Sequence, residues 1–229
     1  VRVVSYNLRD LLDDRAALTR VVHAVRPDVL CAQEVPRFWF ARRRIQRLAR
    51  ELGLVPVCGG RGSGGTAVLV APGVRVLAAQ VLRLPVAHWW TRTRGAATAV
   101  VDAGEGPVRV VSVHLPLQPH LRVDHARRVV ARLAHDVQPT VLAGDLNEPA
   151  EGAAWAVLQA LAPVDVGAGR AEATFPARGP HRRIDAVLAT PDLQVDGVQV
   201  GDQVVGVRRT DLEAATDHLP LVVDLHPSR

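Results

Sequence analysis

At 229 residues, 48% hydrophobic and 22% charged, the chain has enough apolar mass to bury a core, which excludes disorder by composition. Its formal net charge is +5, and all 28 basic residues are arginine. The absence of lysine excludes a Walker-A phosphate loop, and no apolar run approaches the roughly 18 residues of a membrane-spanning helix.

The first strand is expected in "VRVVSYNL" (1–8). Leu18, Val21, Val22 and Val25 share one helical face over residues 13–25, and Pro27 closes that helix. "DVLCAQE" (28–34) reads as a buried strand ending at Glu34. Residues 39–52 have helical spacing and carry Arg42, Arg43, Arg44, Arg47 and Arg50. Three strand candidates follow, "LVPVC", "GTAVLVA" and "VRVLAAQVLRL", separated by Gly and Pro turns. "AATAVVDA", a Gly-Glu-Gly-Pro turn and "VRVVSVHL" form a predicted antiparallel hairpin. A helix over 121–135, the strand "TVLAGDLN" and a helix over 151–161 come next. The last third is expected to alternate short strands with turns up to "HLPLVVDL".

Strand and helix alternate, a block of strands follows, and the pattern recurs. That order predicts a single domain, 1–229, of two sheets packed face to face with helices outside. A doubly wound parallel sheet would need a helix after nearly every strand. Cys31 and Cys58 lie in apolar runs without CxxC spacing and read as buried free thiols, which fits a reducing, cytoplasmic setting. The chain has no methionine, so a signal or anchor upstream of residue 1 is compatible with the sequence.

"GRGSGG" (60–65) matches G-x-G-x-x-G as a string, but strand-like "TAVLVAP" follows it where a dinucleotide fingerprint needs a helix. There is no GxSxG, HExxH or paired CxxC. His120 and His125 read as surface residues.

Polar groups collect instead at the ends of apolar strands: Asn7, Gln33 and Glu34, His114, Asp145 and Asn147, Asp185, and Asp217 with His218. Any one of them is commonly a cap or turn residue. Together they ask for compensation, because a buried carboxylate costs several kcal/mol without a cation or hydrogen bonds. For Glu34, Asp145 and Asp217 a divalent metal supplies it, and oxygen ligands without cysteine select Mg²⁺ or Mn²⁺.

The pieces "SYNL", "CAQEV", "GGTAVLV", "TRGAA", "VVSVHL", "AGDLNEP", "RIDAVLA" and "TDHLPLVV" span residues 5–223. In kind and order this series resembles the endonuclease/exonuclease/phosphatase superfamily, which includes deoxyribonuclease I, abasic-site endonucleases, bacterial sphingomyelinases and inositol polyphosphate 5-phosphatases. The resemblance implies a four-layered α-β-β-α sandwich of two packed mixed sheets, with the site at one edge of both. It implies that Glu34 is the principal metal ligand with Asn7 beside it, and that Asp217 is a further metal-site carboxylate. Asp145 would orient or deprotonate the attacking water, and Asn147 and Arg94 would bind phosphate. His218, supported by Asp185, and His114 would contact the phosphoryl group. The first motif departs from the abasic-site enzymes, since Arg9 stands where they carry an acid and Asp10 comes one residue late. "VHLPLQ" replaces their Tyr-x-Pro-Asn, which places the chain nearer the branch of deoxyribonuclease I, sphingomyelinases and 5-phosphatases.

The expected activity is therefore Mg²⁺- or Mn²⁺-dependent phosphoester hydrolysis by a monomer, with direct in-line attack of water. Nucleic acid is the first candidate substrate, on the net charge and on arginines at 42–44, 127–128, 182–183 and 208–209. Only 3% of residues are aromatic, which argues against stacking platforms for single strands. A phospholipid or small phosphorylated metabolite is the alternative, on the strength of Trp89 and Trp90 as membrane-surface residues. A binding module without catalysis is a third reading, and the intact constellation speaks against it.

Overall fold

The computed structural model describes residues 1–85, 94–169 and 172–228. Its strands are β1 (Arg2–Asn7), β2 (Val29–Gln33), β3 (Val55–Gly59), β4 (Ala67–Val70), β5 (Arg75–Arg83) and β6 (Gly95–Asp102), followed by β7 (Pro107–His114), β8 (Thr140–Asp145), β9 (Val164–Asp165), β10 (Asp185–Ala189), β11 (Leu193–Val200) and β12 (Leu221–Pro227). The helices are α1 (Arg15–Val25), α2 (Ala41–Glu51), α3 (Pro119–Leu133), α4 (Ala153–Leu158) and α5 (Arg209–Ala215).

The strands form two six-stranded sheets, ordered β11-β12-β1-β2-β4-β3 and β5-β6-β7-β8-β10-β9. Each has one parallel pair at its centre, β1–β2 and β7–β8, bridged by the crossover helices α1 and α3. The outer neighbours pair antiparallel, including the hairpin β6–β7. Alternation along the strands sorts side chains between layers. Val141 and Ala143 of β8 and Val187 and Ala189 of β10 join the core between the sheets. Leu142, Ala186 and Leu188 face the other way, packing with Val129 of α3 and Trp155 of α4. On the far side, Leu18, Val22 and Val25 of α1 and Leu212 of α5 cover the first sheet. The result is a four-layered α-β-β-α sandwich, as the motif order implied.

Local chemistry explains the helix limits. Asp14 caps α1 by accepting from the Ala16 and Ala17 amides, and Arg26 ends it in a left-handed conformation. Three expectations need correction. The last third is not all strand and turn: α5 is a helix of 7 residues, too short to show a period in sequence, and is held by burial of Leu212 and Ala215. His125 is buried, 3% exposed, because it faces inward from α3 and its Nε2 meets the Pro85 carbonyl at 2.9 Å. Cys58 is half-buried, since β3 lies at the edge of its sheet, while Cys31 is fully buried. "GRGSGG" forms a short 3-10 turn that leads into β4, so no helix follows it. Among the described residues no helix is long and apolar enough to cross a membrane. Trp89 and Trp90 lie outside the described residues.

Candidate active site

The strand-end residues come from both sheets and meet at one end of the sandwich. Asn7 closes β1, Glu34 follows β2, His114 closes β7 and Asp145 closes β8. Asp185 opens β10, which runs antiparallel to β8, so the start of one strand lies beside the end of the other. Asp217 and His218 precede β12, which runs antiparallel to β1. In the second sheet His114 and Asp185 are both register partners of Asp145, which sets the three side chains in a row. Gly144 makes that row possible. A Cβ there would lie 2.0 Å from the Val113 carbonyl oxygen, so only glycine lets β7 approach β8 this closely.

Asp145 is the hub. Its Oδ2 accepts from Asn7 Nδ2 at 3.1 Å and lies 3.4 Å from His114 Nε2 and 3.7 Å from His218 Nε2. Its Oδ1 accepts from the Asn147 amide at 2.9 Å. Asn147 in turn donates from Nδ2 to the Leu115 carbonyl at 2.8 Å. On the other side of His218, Nδ1 meets Asp185 Oδ2 at 2.9 Å. His114 Nε2 lies 4.0 Å from Glu34 Oε1, which brings the glutamate to the same cluster. Asn7, His114, Asp145, Asp185 and His218 are all buried, whereas Glu34, Asn147 and Asp217 are half-buried and form the open side.

Burial, with Asp185 adding repulsion, pushes the Asp145 carboxyl up to about 7. For His218 burial alone would lower the imidazole, but Asp185, Asp145 and Asp217 outweigh it and raise the group to about 9. Burial thus favours the neutral carboxyl at Asp145, while the surrounding carboxylates favour the imidazolium at His218.

Among the described residues the one tight group of possible metal-ligating side chains is Asp145, Asp185 and His218, with ligand atoms within 4.8 Å of one another. The hydrogen bond between Asp185 and His218 already occupies two of those atoms, so this group suits holding a proton better than caging an ion. Glu34 and the Asn7 amide oxygen are the hard oxygen donors that suit Mg²⁺ or Mn²⁺. The chemistry of the donor set fits a cation, because half-buried Glu34 and Asp217 add two carboxylates on the open side of a cluster whose buried Asp185 Oδ1 has no hydrogen-bond partner among the described residues.

Backbone strain concentrates at this end. Arg9, Asp10, Leu11, Glu34 and Asn147 all have positive φ, between 46° and 60°. The left-handed turn of Arg9–Leu11 lets the Arg9 amide donate to Asn7 Oδ1 at 3.0 Å and the Asp10 amide to the Glu34 carbonyl at 2.9 Å. Asp217 lies at the rim, with Oδ2 3.5 Å from Arg9 Nε. Arg94 is buried beside Gly95, the register partner of His114, and its charge also acts on His125.

Several supporting residues escaped the sequence reading. Thr216 donates to the Asn7 carbonyl at 2.9 Å, tying the "TDH" segment to β1. The Phe175 ring packs 4.8 Å from the His218 ring. Glu148 of "GDLNEP" is buried, accepts from Arg122 Nε at 2.9 Å and receives the Trp155 amide at 2.9 Å. Glu148 and Thr216 lie within "AGDLNEP" and "TDHLPLVV", but their bonding partners are distant in sequence; Phe175 carries no such signal.

The sequence profile described as "Endonuclease/Exonuclease/phosphatase family" matches residues 4–218. Among curated proteins none matches the sequence. An endonuclease/exonuclease/phosphatase structure from Bacteroides vulgatus superposes with a TM-score of 0.78 at 18% identity, covering 100% of this chain and 99% of that one. The mannosyl-6-phosphatase of Bacteroides thetaiotaomicron gives 0.76 at 17% identity, over 98% and 99%. The human nocturnin catalytic domain with bound sulfate gives 0.70 at 18%, over 100% and 93%. At such identities the likeness is one of fold.

Proposed function

Because the chain belongs to the endonuclease/exonuclease/phosphatase family, we propose that it is a divalent-metal-dependent phosphodiesterase using direct in-line attack of water. The observation that carries this reading is the placement of Asp145 Oδ2 beside two imidazole Nε2 atoms, 3.4 and 3.7 Å away, with Asp185 behind one of them. Asp145, poised at about 7, takes the proton of the attacking water. His218, kept charged by Asp185, donates from Nε2 to a phosphoryl oxygen, where negative charge builds. His114 and the second Nδ2 hydrogen of Asn147 address the remaining oxygens, and Arg94 adds positive charge behind them. Glu34 and Asn7, with Asp217 at the rim, would hold Mg²⁺ or Mn²⁺, which when bound supplies neutralisation of the phosphoryl oxygens. No side chain here needs to act as a covalent nucleophile. The sulfate in the nocturnin catalytic domain is consistent with a tetrahedral oxyanion in such a fold.

The test is a panel of bis-p-nitrophenyl phosphate, p-nitrophenyl phosphate, plasmid and phospholipid vesicles with Mg²⁺ or Mn²⁺. Diester hydrolysis is expected, abolished by chelation and reduced about 10³-fold in Asp145→Ala or His218→Ala. Turnover that survives chelation defeats the metal role, and turnover retained in both variants moves the chemistry elsewhere. Hydrolysis confined to the monoester would favour a small-molecule phosphatase, a second reading supported by the fold's likeness to a mannosyl-6-phosphatase.

A further inference from the structure

We infer that a groove beginning three residues after Glu34 binds single-stranded nucleic acid, with bases stacked on exposed aromatic rings and phosphates on arginines. The inference rests on the phosphodiesterase reading of the neighbouring site and names its substrate class.

Phe38, Trp39 and Phe40 are consecutive and 66%, 86% and 70% exposed. The chain has only eight aromatic residues, four Trp, one Tyr and three Phe, so three of them stand open to solvent in one segment. They line a concavity of about 970 Å³. Arg42, Arg61 and Arg83, also exposed, line the same concavity, and among the described residues no carboxylate does. None of those three arginines has a carboxylate partner among the described residues. Elsewhere the arginine pairs are largely neutralised: Arg128 by Asp124 at 2.8 Å, Arg183 by Asp165 at 2.6 Å and Arg208 by Asp211 at 2.9 Å. Three exposed arginines without a carboxylate partner among the described residues thus stand beside the open rings.

A second observation points to a ligand. Arg37 is 4% exposed and lines the groove, yet its Nη1 has no hydrogen-bond partner among the described residues. Its guanidinium lies 5.1 Å from the Phe38 ring centre, and that of Arg43 lies 5.9 Å from the Phe40 ring centre. Open rings with guanidinium groups beside them suit a chain that carries both bases and phosphates. A duplex hides its base faces and offers such rings nothing to stack on. A lipid surface would be met by a protruding tip, whereas these rings line a concavity. Arg37 also connects the groove to the site, with Nη2 3.6 Å from Asp10, whose amide donates to the Glu34 carbonyl.

The test is fluorescence anisotropy of a dye-labelled single strand of about 12 nucleotides with the full chain in a chelator, so that no strand is cut. The single strand should bind more tightly than the matching duplex, Trp39→Ala should weaken it on the order of tenfold, and Trp39→Tyr should restore most of that. Thermal melting of both variants reports folding. Affinity unaffected by Trp39→Ala overturns the inference, as does Trp39-dependent binding to phosphatidylglycerol vesicles with no single-strand binding. Trp39-dependent binding by a protein that cleaves no diester keeps the groove and sinks the site reading. Diester cleavage with binding indifferent to Trp39 does the reverse.

Discussion

The catalytic end and the aromatic groove are neighbours along the chain, yet they treat solvent in opposite ways. At the catalytic end Asn7, His114, Asp145, Asp185 and His218 are 1–4% exposed and bound to one another. In the groove Trp39 is 86% exposed, and Arg42, Arg61 and Arg83 have no carboxylate beside them among the described residues. Excluding water is what drives Asp145 to about 7, because a buried charge must find its compensation inside the protein. Stacking and phosphate attraction need the opposite, open faces and charges that no internal partner has claimed. The proposed chemistry and the proposed capture thus lie close along the backbone, with Arg37 three positions after Glu34.

The sharpest way to break this contrast is at the support of His218. In Asp185→Asn the imidazole loses the carboxylate that keeps it charged, so its value falls from about 9. Hydrolysis of bis-p-nitrophenyl phosphate should drop about 10²-fold, and the alkaline limb of the pH–rate profile should move to lower pH. An unmoved limb would mean that Asp185 does not govern the proton.

Packing is the next target. Gly144→Ala puts a methyl group against the Val113 backbone and forces β7 from β8. A loss of about 2–3 kcal/mol is expected, lowering the melting temperature by roughly 5–10 °C. The matching change at Gly73, where a Cβ would meet nothing within 4 Å, meets no such contact, although its φ of +100° still strains alanine. Equal losses at both positions would point to backbone strain rather than close strand contact.

A smaller effect of opposite sign is expected from Asp145→Asn in a chelator. The folded value of Asp145, about 7, lies above its ordinary 3.8, so its contribution is full below pH 4 and lost as pH rises through 7. Asparagine removes that loss. The variant should melt a few degrees higher than the parent at pH 8 and converge with it towards pH 4. A lower melting temperature at pH 8 would show that the carboxylate is not destabilised there. Smallest of all, Arg42→Gln with Arg61→Gln should flatten the slope of log affinity against log salt for a single strand by roughly 1.4. An unchanged slope would separate those arginines from the phosphates.

Much of the catalytic end was legible because alternation carries it. "VVSVHL" and "TVLAGDLN" state which side chains face inward, and His114 and Asp145 share that face in the folded protein. Asp185 belongs to the same row only because β10 runs antiparallel, a fact of topology that no local window contains. The Thr216 bond to Asn7 spans 209 positions and was equally out of reach. The helix α5 was missed for want of length, and His125 because its cover, Pro85, lies 40 residues away. The arginine pairs were misleading for a similar reason. Asp165, which neutralises Arg183, is 18 residues distant, so charge counted along the sequence overstates the charge the surface presents. The 3% aromatic content misled in the other direction, since a percentage says nothing about three rings placed side by side.

The order β11-β12-β1 has a consequence for the timing of activity. Strands β1 and β12, far apart in the chain, lie side by side, and each brings a member of the site, Asn7 at the end of β1 and His218 just before β12. A growing chain that has already made Glu34, His114 and Asp145 therefore still lacks His218 and has no complete set. The acidic hub waits for its imidazolium until β12 exists and docks. Under the proposed chemistry, a chain in which β12 has not yet paired with β1 lacks the imidazolium that the phosphoryl oxygens need.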